Sequence, residues 1–376
     1  MPEKAEKVYL ISTDDSVFRF LSVLFKDTKY TLIRATEGNS YADEIKRIKP
    51  MMAIIDMDRS PAARLIDLCG ILSECPLPVF LLTREAEKAH RSTVKGIRIG
   101  AVDVLEISSG APKIAPEERD RLMGVIQTGA TIEVKQISYS DAILIAGAQG
   151  EPAEIIKPEI NASQTLDTNY LKRGFDAVGV AISTGGPNAL SHLIPSLPAE
   201  FPVPMLVVQH IIPGFIDEIV TRLDRNCSLR VKIAEQGEPL AAGAVYFAPD
   251  KKHLMVKNIG GRLYTHLSPE PSNLLFCPSA DVLFKSMAEA CGPRCMAVIM
   301  TGMGHDGVDG LRFVKSAGGS TIAQDRRSSV IYGMARVAVD AKLIDRVVPL
   351  DNIAGEVYKL IANEVPDHSV NERVSS

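Results

Sequence analysis

A serine lies where an apolar segment of the chain meets two glycines and a proline. Residues 178–187 read VGVAISTGGP, so Ser183 follows a strand-like run. Glycines allow a sharp turn, and proline is favoured at the first position of a helix. Ser183 is therefore predicted at the carboxyl end of a strand and beside a helix N-terminus, where free N–H groups stabilise negative charge. This place suits a nucleophile whose attack creates an oxyanion, although a Ser/Gly turn or a phosphate-binding loop has the same pattern.

Two further apolar runs end in residues that could assist this serine. His210 directly follows the run 206–209, and Asp306 lies in the loop TGMGHDG that follows the run 296–300. A lone histidine at a strand end is usually structural, and the acidic loop has too few oxygen ligands at EF-hand spacing to indicate a calcium site. Sites in parallel α/β sheets form at the carboxyl ends of strands. Asp306 could thus orient His210 as the base for Ser183, which the chain order neither supports nor excludes.

The elements that must position these residues follow a repeated order along the chain. Short apolar runs alternate with segments of helical period in the first 110 residues, and the same order resumes after about residue 175. Apolar strands alternating with helices predict parallel sheets covered on both faces, so we expect an α/β fold in each half. The predicted strands are 8–11, 30–34, 52–55, 79–82 and 101–105 in the first half, and 177–181, 205–208, 244–247 and 296–300 in the second.

Length, charge and composition narrow the class of protein. A chain of 376 residues is long enough for two domains, and 46% hydrophobic residues is an ordinary globular content. The net charge of −4, without a long basic run, argues against nucleic-acid binding. No signal-peptide pattern and no membrane-spanning apolar run appear, so we expect a cytoplasmic protein. The six cysteines form no CxxC pair, which favours core thiols in a reducing compartment.

The second half of the chain resembles a known family through several ordered motifs. The segments STGGP, QHIIPGF and TGMGHDG, with CPSADVLF at 277–284 and the run 323–340, are similar to the signature blocks of the CheB family. The members of this family are protein-glutamate methylesterases of bacterial chemotaxis. The resemblance covers about residues 175–362. One departure is Ala181-Ile182 before the serine, where the family usually has Gly-Ala, and the bulk of Ile182 could narrow the site.

This resemblance implies a reaction and the residues that perform it. It implies a catalytic triad of Ser183, His210 and Asp306, with the backbone N–H groups of Thr184 and Met303 as oxyanion donors. The implied reaction hydrolyses γ-glutamyl methyl esters on chemoreceptor helices and releases methanol, and many members also deamidate receptor glutamines. The resemblance implies no metal or organic cofactor for catalysis.

The first half, over about residues 6–110, resembles a response-regulator receiver domain with a flavodoxin-like, five-stranded parallel sheet. The resemblance assigns Asp14 and Asp15 to the acidic pair, Asp56 to the phospho-acceptor and Thr83 to the switch hydroxyl. Carboxylates at strand ends can hold a hard cation that neutralises an incoming phosphoryl group. If phosphorylation is retained, the resemblance thus implies Mg²⁺ at Asp14, Asp15 and Asp56, and a chemotaxis histidine kinase as partner.

Two features of an active receiver domain are missing. Ile107 stands where receiver domains carry a lysine after the fifth strand, and residues 59–63 read RSPAA in place of the usual Met-Pro and downstream glycine. The lysine normally pairs with the phosphoryl group. We therefore expect a pseudo-receiver that serves for docking or as a fixed cover, with phosphorylation at Asp56 as the alternative.

The predicted organisation combines two α/β domains. Residues 1–110 form the receiver-like domain, 111–174 a connecting segment and linker, 175–365 a doubly wound, mostly parallel methylesterase domain, and 366–376 a frayed C-terminus. The function expected is that of a serine hydrolase acting on chemoreceptor methyl esters under the regulation of the N-terminal domain. A non-catalytic signalling scaffold that binds a receptor or another protein is the alternative, which the incomplete receiver motif favours and the complete Ser, His and Asp set disfavours.

Overall fold

The fold is described from a computed structural model. It describes residues 6–36, 40–84, 92–93, 95–97, 99–107, 114–129, 134, 136, 138–140, 142–143, 174–270, 274 and 276–363. The chain divides into two compact units, Met1–Glu151 with Ile211–Glu218 and Pro152–His210 with Ile219–Ser376. We call them the N-terminal and the C-terminal unit.

The N-terminal unit contains a parallel sheet with the strand order β2-β1-β3-β4-β5. This is the flavodoxin-like order, and it confirms the prediction of a five-stranded parallel sheet. The strands are β1 (Glu6–Ile11), β2 (Tyr30–Arg34), β3 (Met52–Asp56), β4 (Val79–Thr83) and β5 (Asp103–Glu106); the helices are α1 (Asp15–Leu24), α2 (Tyr41–Ile48), α3 (Pro61–Glu74) and α4 (Pro116–Gly129).

Burial explains why these segments form a parallel sheet with helices outside it. Every residue of β3 and β4 is buried, as expected for central strands covered on both faces. On α1, the buried residues Val17, Leu21 and Leu24 recur at helical spacing and so face the sheet. Asp14 caps this helix by accepting a hydrogen bond from the Ser16 N–H, and it lies in the short connection between β1 and α1.

The C-terminal unit contains a larger sheet in which all paired strands are parallel, in the order β14-β13-β12-β6-β7-β9-β8. A separate antiparallel hairpin joins β10 to β11. This confirms the predicted mostly parallel α/β fold. The strands are β6 (Ala177–Ile182), β7 (Met205–Gln209), β8 (Arg230–Ile233), β9 (Ala244–Phe247), β10 (His253–Ile259), β11 (Arg262–Ser268), β12 (Cys295–Ile299), β13 (Ser320–Gln324) and β14 (Arg346–Val348).

The helices of this unit bury the central strand β6 from both sides. They are α5 (Gly186–Leu193), α6 (Ile216–Asn226, whose first three residues belong to the N-terminal unit), α7 (Ala280–Cys291), α8 (Val308–Ser316), α9 (Met334–Asp340) and α10 (Leu350–Asn363). Residues of α7, α8 and α9 share one core with Ala177 and Ala181 of β6. Val178, Val180 and Ile182, which alternate with them along the strand, are also fully buried.

The order of the strands marks one edge of this sheet as the expected place for a site. From β6 the chain moves to β7 on one side, and it later returns to start β12 on the other side of β6. The strand order therefore reverses between β6 and β12. In doubly wound sheets, ligands bind at the carboxyl ends of the strands beside such a switch point.

Some predicted features fall partly or wholly outside the described residues. The helix α4 lies within the segment 111–174, which the sequence predicts as a connecting segment and linker. The rest of the predicted linker lies mostly outside the described residues, and the segment 366–376 lies wholly outside them. The domain boundaries therefore stay predictions. Among the described residues, no helix combines the length and apolar character that crossing a bilayer requires.

Candidate active site

Ser183 is the first residue after β6. Its N–H donates to the carbonyl oxygen of Thr301 at 3.0 Å, which continues the pairing of β6 with β12 past its last pair, Ala181 with Ile299. Its own carbonyl oxygen accepts from the Gly186 N–H at 2.8 Å, where α5 begins. The strand-turn-helix arrangement thus places Ser183 at a carboxyl strand end and beside a helix N-terminus.

The glycines around Ser183 are required by space and by backbone geometry. Gly185 has φ of +81°, a left-handed conformation, and a Cβ there would lie 2.6 Å from the Cβ of Val330. At Gly302, a Cβ would lie 2.7 Å from the Cβ of Ser183 and 2.5 Å from the Sδ of Met334. Glycine at position 302 lets the loops after β6 and β12 approach each other this closely, and glycine at position 185 does the same for the loops after β6 and β13.

His210 directly follows β7, the other neighbour of β6. Ile182 pairs with Gln209, and the His210 N–H donates to the Ile182 carbonyl oxygen at 2.9 Å. Ser183 and His210 are thus the next positions along two adjacent strands, which run about 5 Å apart. The Gln209 side chain joins them, because its Nε2 donates to the carbonyl oxygens of Ser183 at 3.0 Å and of His210 at 2.8 Å.

The ring of His210 is held by an acid and by an aromatic ring. Its Nε2 lies 2.8 Å from Oδ2 of Asp306. The imidazole stacks on Phe276, with the ring centroids 4.6 Å apart and the planes inclined by 12°. Because Nε2 faces the carboxylate, Nδ1 is the ring nitrogen left for a second proton partner.

Asp306 is fixed by donors at the N-terminus of α7. Oδ1 accepts from the Ser279 hydroxyl at 2.7 Å and from the Asp281 N–H at 3.2 Å, and Oδ2 accepts from the Ala280 N–H at 2.6 Å. Burial by itself would raise the pKa of this carboxyl, but the close contact with His210 and the hydrogen bonds from Ser279 and Ala280 outweigh it and hold the pKa well below its usual range. Asp306 therefore stays ionised and oriented towards His210.

A second carboxyl lies beside this one. Asp281 accepts from the Gly310 N–H at 2.7 Å. Burial raises the pKa of Asp281 to about 6, the bond from Gly310 opposes the shift, and the neighbouring Asp306 carboxylate adds to it. The two acids thus differ sharply in how readily they lose a proton.

Thr184 and Met303 lie on two loops that are fastened to each other. The Thr301 hydroxyl donates to the Thr184 carbonyl oxygen at 2.9 Å, and the Gly302 carbonyl oxygen accepts from the Gly333 and Met334 N–H groups at 3.1 and 2.9 Å. Within the described part of the chain, the Met303 N–H makes no hydrogen bond. The Met303 N–H is thus an available backbone donor in the loop after β12. It lies near Ser183, because a Cβ on the preceding residue, Gly302, would contact the Cβ of Ser183.

Several residues of this constellation are not identifiable from the sequence alone. Ser279 stands before an apolar helical run, a common helix-capping pattern, but the pattern does not reveal that its hydroxyl reaches Asp306. Gln209 precedes the predicted histidine, and only the strand register shows what its amide joins. Phe276 carries no sequence signal for its position against His210. His305, by contrast, is exposed, as expected of a solvated loop residue.

The departure at Ile182 does not disturb the strand. Ile182 is fully buried in β6, and its carbonyl oxygen accepts from the His210 N–H as a regular strand partner. The expectation that its bulk narrows the site stays a prediction. Among the described residues, no cluster of three or more His, Cys, Asp or Glu side chains is arranged to hold a metal ion.

The predicted receiver residues of the N-terminal unit also lie at strand ends. Asp56 is buried at the end of β3, where Oδ2 accepts from the Ser12 hydroxyl at 2.6 Å. The Thr83 hydroxyl, at the end of β4, donates to Asp58 at 2.6 Å. Asp14 and Asp15 follow β1. Ile107, at the position where a receiver domain has its lysine, is buried, and its N–H donates to the Thr83 carbonyl oxygen at 3.1 Å.

Sequence comparisons with known proteins indicate one family. The family described as CheB methylesterase matches residues 178–357. The chain is 31% identical to a protein-glutamate methylesterase/protein-glutamine glutaminase of Desulfitobacterium hafniense, with 96% of this chain and 99% of the relative covered. It is 35% identical to protein-glutamate methylesterase/protein-glutamine glutaminase 4 of Myxococcus xanthus, with 93% and 95% covered. A solved CheB methylesterase catalytic domain from Thermotoga maritima is 37% identical over 50% of this chain and 99% of that chain, with a TM-score of 0.49.

Proposed function

Because the chain belongs to the CheB methylesterase family, we propose that it hydrolyses methyl esters of glutamate side chains on chemoreceptors. The observation that carries the proposal is the approach of His210 Nε2 to within 2.8 Å of Asp306, at the ends of strands that flank Ser183. A serine, a base and an oriented acid at one sheet edge are the groups that acyl transfer requires.

In the proposed reaction, Ser183 is the nucleophile. Its Oγ attacks the ester carbonyl carbon while the hydroxyl proton passes to Nδ1 of His210, the nitrogen that faces away from Asp306. The negative charge moves to the carbonyl oxygen, for which the N–H groups of Thr184 and Met303 are the proposed donors. The tetrahedral intermediate collapses when His210 returns the proton to the methoxy oxygen. Methanol leaves, and a glutamyl ester of Ser183 remains.

Hydrolysis of this acyl-enzyme completes the reaction, with water as the nucleophile and Ser183 as the leaving group. His210 takes a proton from water, the resulting hydroxide attacks the acyl carbon, and the proton passes to Ser183 Oγ as the free glutamate leaves. Asp306 is ionised throughout, because its pKa lies well below the usual range, with burial outweighed by its hydrogen bonds. It thus stabilises the imidazolium that forms twice in each cycle.

A second activity follows from the same chemistry. The relatives are named both as methylesterases and as protein-glutamine glutaminases. A γ-carboxamide carries the same acyl group as the methyl ester, so attack by Ser183 would form the same acyl-enzyme. The leaving group is then ammonia, which needs the proton from His210 more strongly than methanol does. We therefore propose glutamine deamidation on chemoreceptors as a slower reaction of this site.

The proposal includes the partners and the setting that the sequence predicts. Methylated chemoreceptor helices are the proposed substrate, and the cytoplasm is the proposed location. Regulation by the N-terminal domain is proposed as well. If that domain inhibits the esterase, deleting residues 1–146 raises the rate of methanol release, whereas an unchanged rate in a folded product contradicts inhibition.

The first test measures methanol release from a methylated chemoreceptor fragment. The wild type is compared with Ser183→Ala and with the control Ser196→Ala, which loses only an exposed hydroxyl that bonds the His192 carbonyl oxygen. The proposal expects release by the wild type and the control and none by Ser183→Ala. Release that persists in Ser183→Ala contradicts the assigned nucleophile.

A covalent probe separates the enzyme from the alternative, a non-catalytic scaffold. A generic serine-hydrolase reagent should label Ser183 in the wild type and leave Ser183→Ala unlabelled. Labelling without methanol release indicates a different ester substrate. Neither labelling nor release, also after removal of the N-terminal domain, favours the scaffold.

A further inference from the structure

The acidic residues of the N-terminal unit already have partners within the chain. Oδ1 of Asp14 accepts from the Ser16 N–H at 2.7 Å and from the Ser16 hydroxyl at 2.6 Å. Its Oδ2 accepts from Nη1 of Arg84 at 2.9 Å. Hydrogen bonds from Ser16, followed by the pairing with Arg84, hold the pKa of Asp14 well below its usual range despite partial burial. This carboxylate is thus neutralised without an added cation.

Arg84 joins two carboxylates from different strand ends. Its Nε donates to Oδ2 of Asp58 at 2.8 Å, while Nη1 reaches Asp14 and, at 3.0 Å, the Ser16 hydroxyl. Its backbone N–H also donates to Asp58, at 3.0 Å. The side chains of Arg84, Asp14 and Asp58 are 20%, 16% and 12% exposed, so these bonds form in a largely desolvated place. The rigid fork of guanidinium donors suits such a bridge.

The remaining candidate ligands point elsewhere. Asp15 pairs with Arg34, and its side chain is 79% exposed. Oδ2 of Asp56 accepts from the Ser12 hydroxyl, and Oδ1 accepts from the Asp58 N–H at 3.1 Å. Within the described part of the chain, no three acidic side chains share a point at which a metal could sit. Mg²⁺ needs oxygen ligands in near-octahedral geometry, and a guanidinium beside two of the acids repels it. The residues present therefore do not fit the ion that the receiver resemblance implies.

We propose that Arg84 is a built-in counter-ion that takes the place of the divalent cation of a receiver domain. It makes the N-terminal unit independent of Mg²⁺ and leaves Asp56 without the cation that phosphoryl transfer to a carboxylate requires. Two further observations agree with this. The Thr83 hydroxyl is engaged by Asp58, and Ile107 stands where a lysine would pair with a phosphoryl group.

The proposal concerns the N-terminal unit alone and does not depend on the esterase. Its test uses the full chain and MgCl₂ as the probe, with isothermal titration calorimetry and circular dichroism melting as readouts. The variants are Arg84→Met, which keeps an unbranched apolar stem but removes the charged guanidinium, and the control Arg64→Met. Arg64 is a similarly buried arginine, and it bonds Asp67 and Tyr41 instead of the carboxylates that Arg84 joins.

The wild type and Arg64→Met should show no heat of Mg²⁺ binding and no change of Tm with Mg²⁺. Arg84→Met leaves Asp58 without its cation and Asp14 with only the guanidinium of Arg59, at 3.8 Å, so its Tm should fall by about 5 °C without metal and recover with Mg²⁺. Wild-type chain incubated with a small phosphodonor and Mg²⁺ should gain no mass. Mg²⁺ binding or phosphorylation at Asp56 in the wild type overturns the proposal. A folded Arg84→Met that still ignores Mg²⁺ overturns the role of Arg84.

If Arg84→Met does not fold, the variant Arg84→Lys tests the same role of Arg84. A lysine keeps the charge but lacks the fork that reaches both carboxylates, so this variant should melt below the wild type and gain a weak stabilisation by Mg²⁺. A Tm equal to that of the wild type, with no response to Mg²⁺, would contradict the bridging role of the guanidinium.

Discussion

The two units place acidic residues at the same topological position and give them different partners. In the N-terminal sheet the strand order reverses between β1 and β3, where Asp14 and Asp56 lie. In the C-terminal sheet it reverses between β6 and β12, where Asp306 faces His210. Parallel α/β folds gather polar residues at such points in either case. The groups that each carboxylate contacts then decide whether its charge can act on a neighbouring reactive group.

The difference lies in the charge of the donors. Asp306 is held by a hydroxyl and backbone N–H groups, which fix its direction without cancelling its charge. Its full charge thus acts on His210. Asp14 and Asp58 share one guanidinium, which fixes their direction and offsets part of their charge. At Asp306 the neutral donors leave the negative charge to act on His210, whereas at Asp14 and Asp58 the permanent cation forms a structural ion pair.

The largest expected effect tests this contrast directly. Asp306→Asn keeps the shape of the side chain but removes the charge that stabilises the imidazolium, so kcat should fall by about 10³–10⁴-fold. The matching change Asp56→Asn, at the corresponding place of the other sheet, should leave kcat unchanged. Methanol release measures both. A large loss in Asp56→Asn would show that the N-terminal carboxylate retains a function.

The next effect comes from the close approach of two loops in the C-terminal unit. Gly302→Ala introduces a Cβ at 2.7 Å from that of Ser183, so Ser183 must shift and kcat should fall by about 100-fold. Gly355→Ala is the control, because a Cβ at Gly355 meets nothing within 4 Å. Kinetics and thermal melting of both variants test this, and a fully active Gly302→Ala would refute the need for a glycine here.

A smaller effect is expected from removing the hydroxyl that donates to a buried carboxylate in each unit. Ser279→Ala removes one donor from Asp306 but leaves two N–H groups, so kcat should fall about tenfold with KM unchanged. Ser12→Ala removes the corresponding donor from Asp56 and should lower only the stability of the N-terminal unit. A change of KM in Ser279→Ala would mean that Ser279 contacts substrate instead of positioning Asp306.

The smallest effect concerns the pH dependence of stability. Burial raises the pKa of Asp281 from 3.8 to about 6, so its contribution favours the folded state fully below pH 3.8 and is lost as the pH rises through about 6. Asp281→Asn keeps an acceptor for the Gly310 N–H and cannot ionise. Relative to the wild type, its free energy of unfolding should therefore increase across this range.

Urea unfolding on either side of pH 6 measures this difference. The control is Asp351→Asn, an exposed residue of α10 that should give no such trend. A difference between Asp281→Asn and the wild type that does not change with pH would contradict a raised pKa.

Much of the fold and the outline of the candidate site can be predicted from local patterns. Apolar runs that alternate with helical periods predict both parallel sheets, and the turn after β6 is predicted from its glycines and proline. These features depend on neighbours along the chain, which the sequence states directly. The boundaries of the connecting segment are harder to predict from the sequence, because its composition changes without the sustained hydrophobic period of a helix or a strand.

The partners of each acid depend on contacts between distant segments. Ser279 meets Asp306 and Arg84 meets Asp14 only after the sheets have formed, across 27 and 70 residues of chain. The stacking of Phe276 on His210 and the bridging amide of Gln209 are of the same kind.

The sequence by itself therefore determined the two α/β folds and the positions of Ser183, His210 and Asp306 at strand ends, since strand and turn patterns are local. Only the tertiary structure decided that one set of acids faces neutral donors and a histidine and the other faces arginines. The physical reason is that the protonation and reactivity of a carboxylate are set by the charges and donors within a few ångströms of it, and folding brings these from anywhere in the chain.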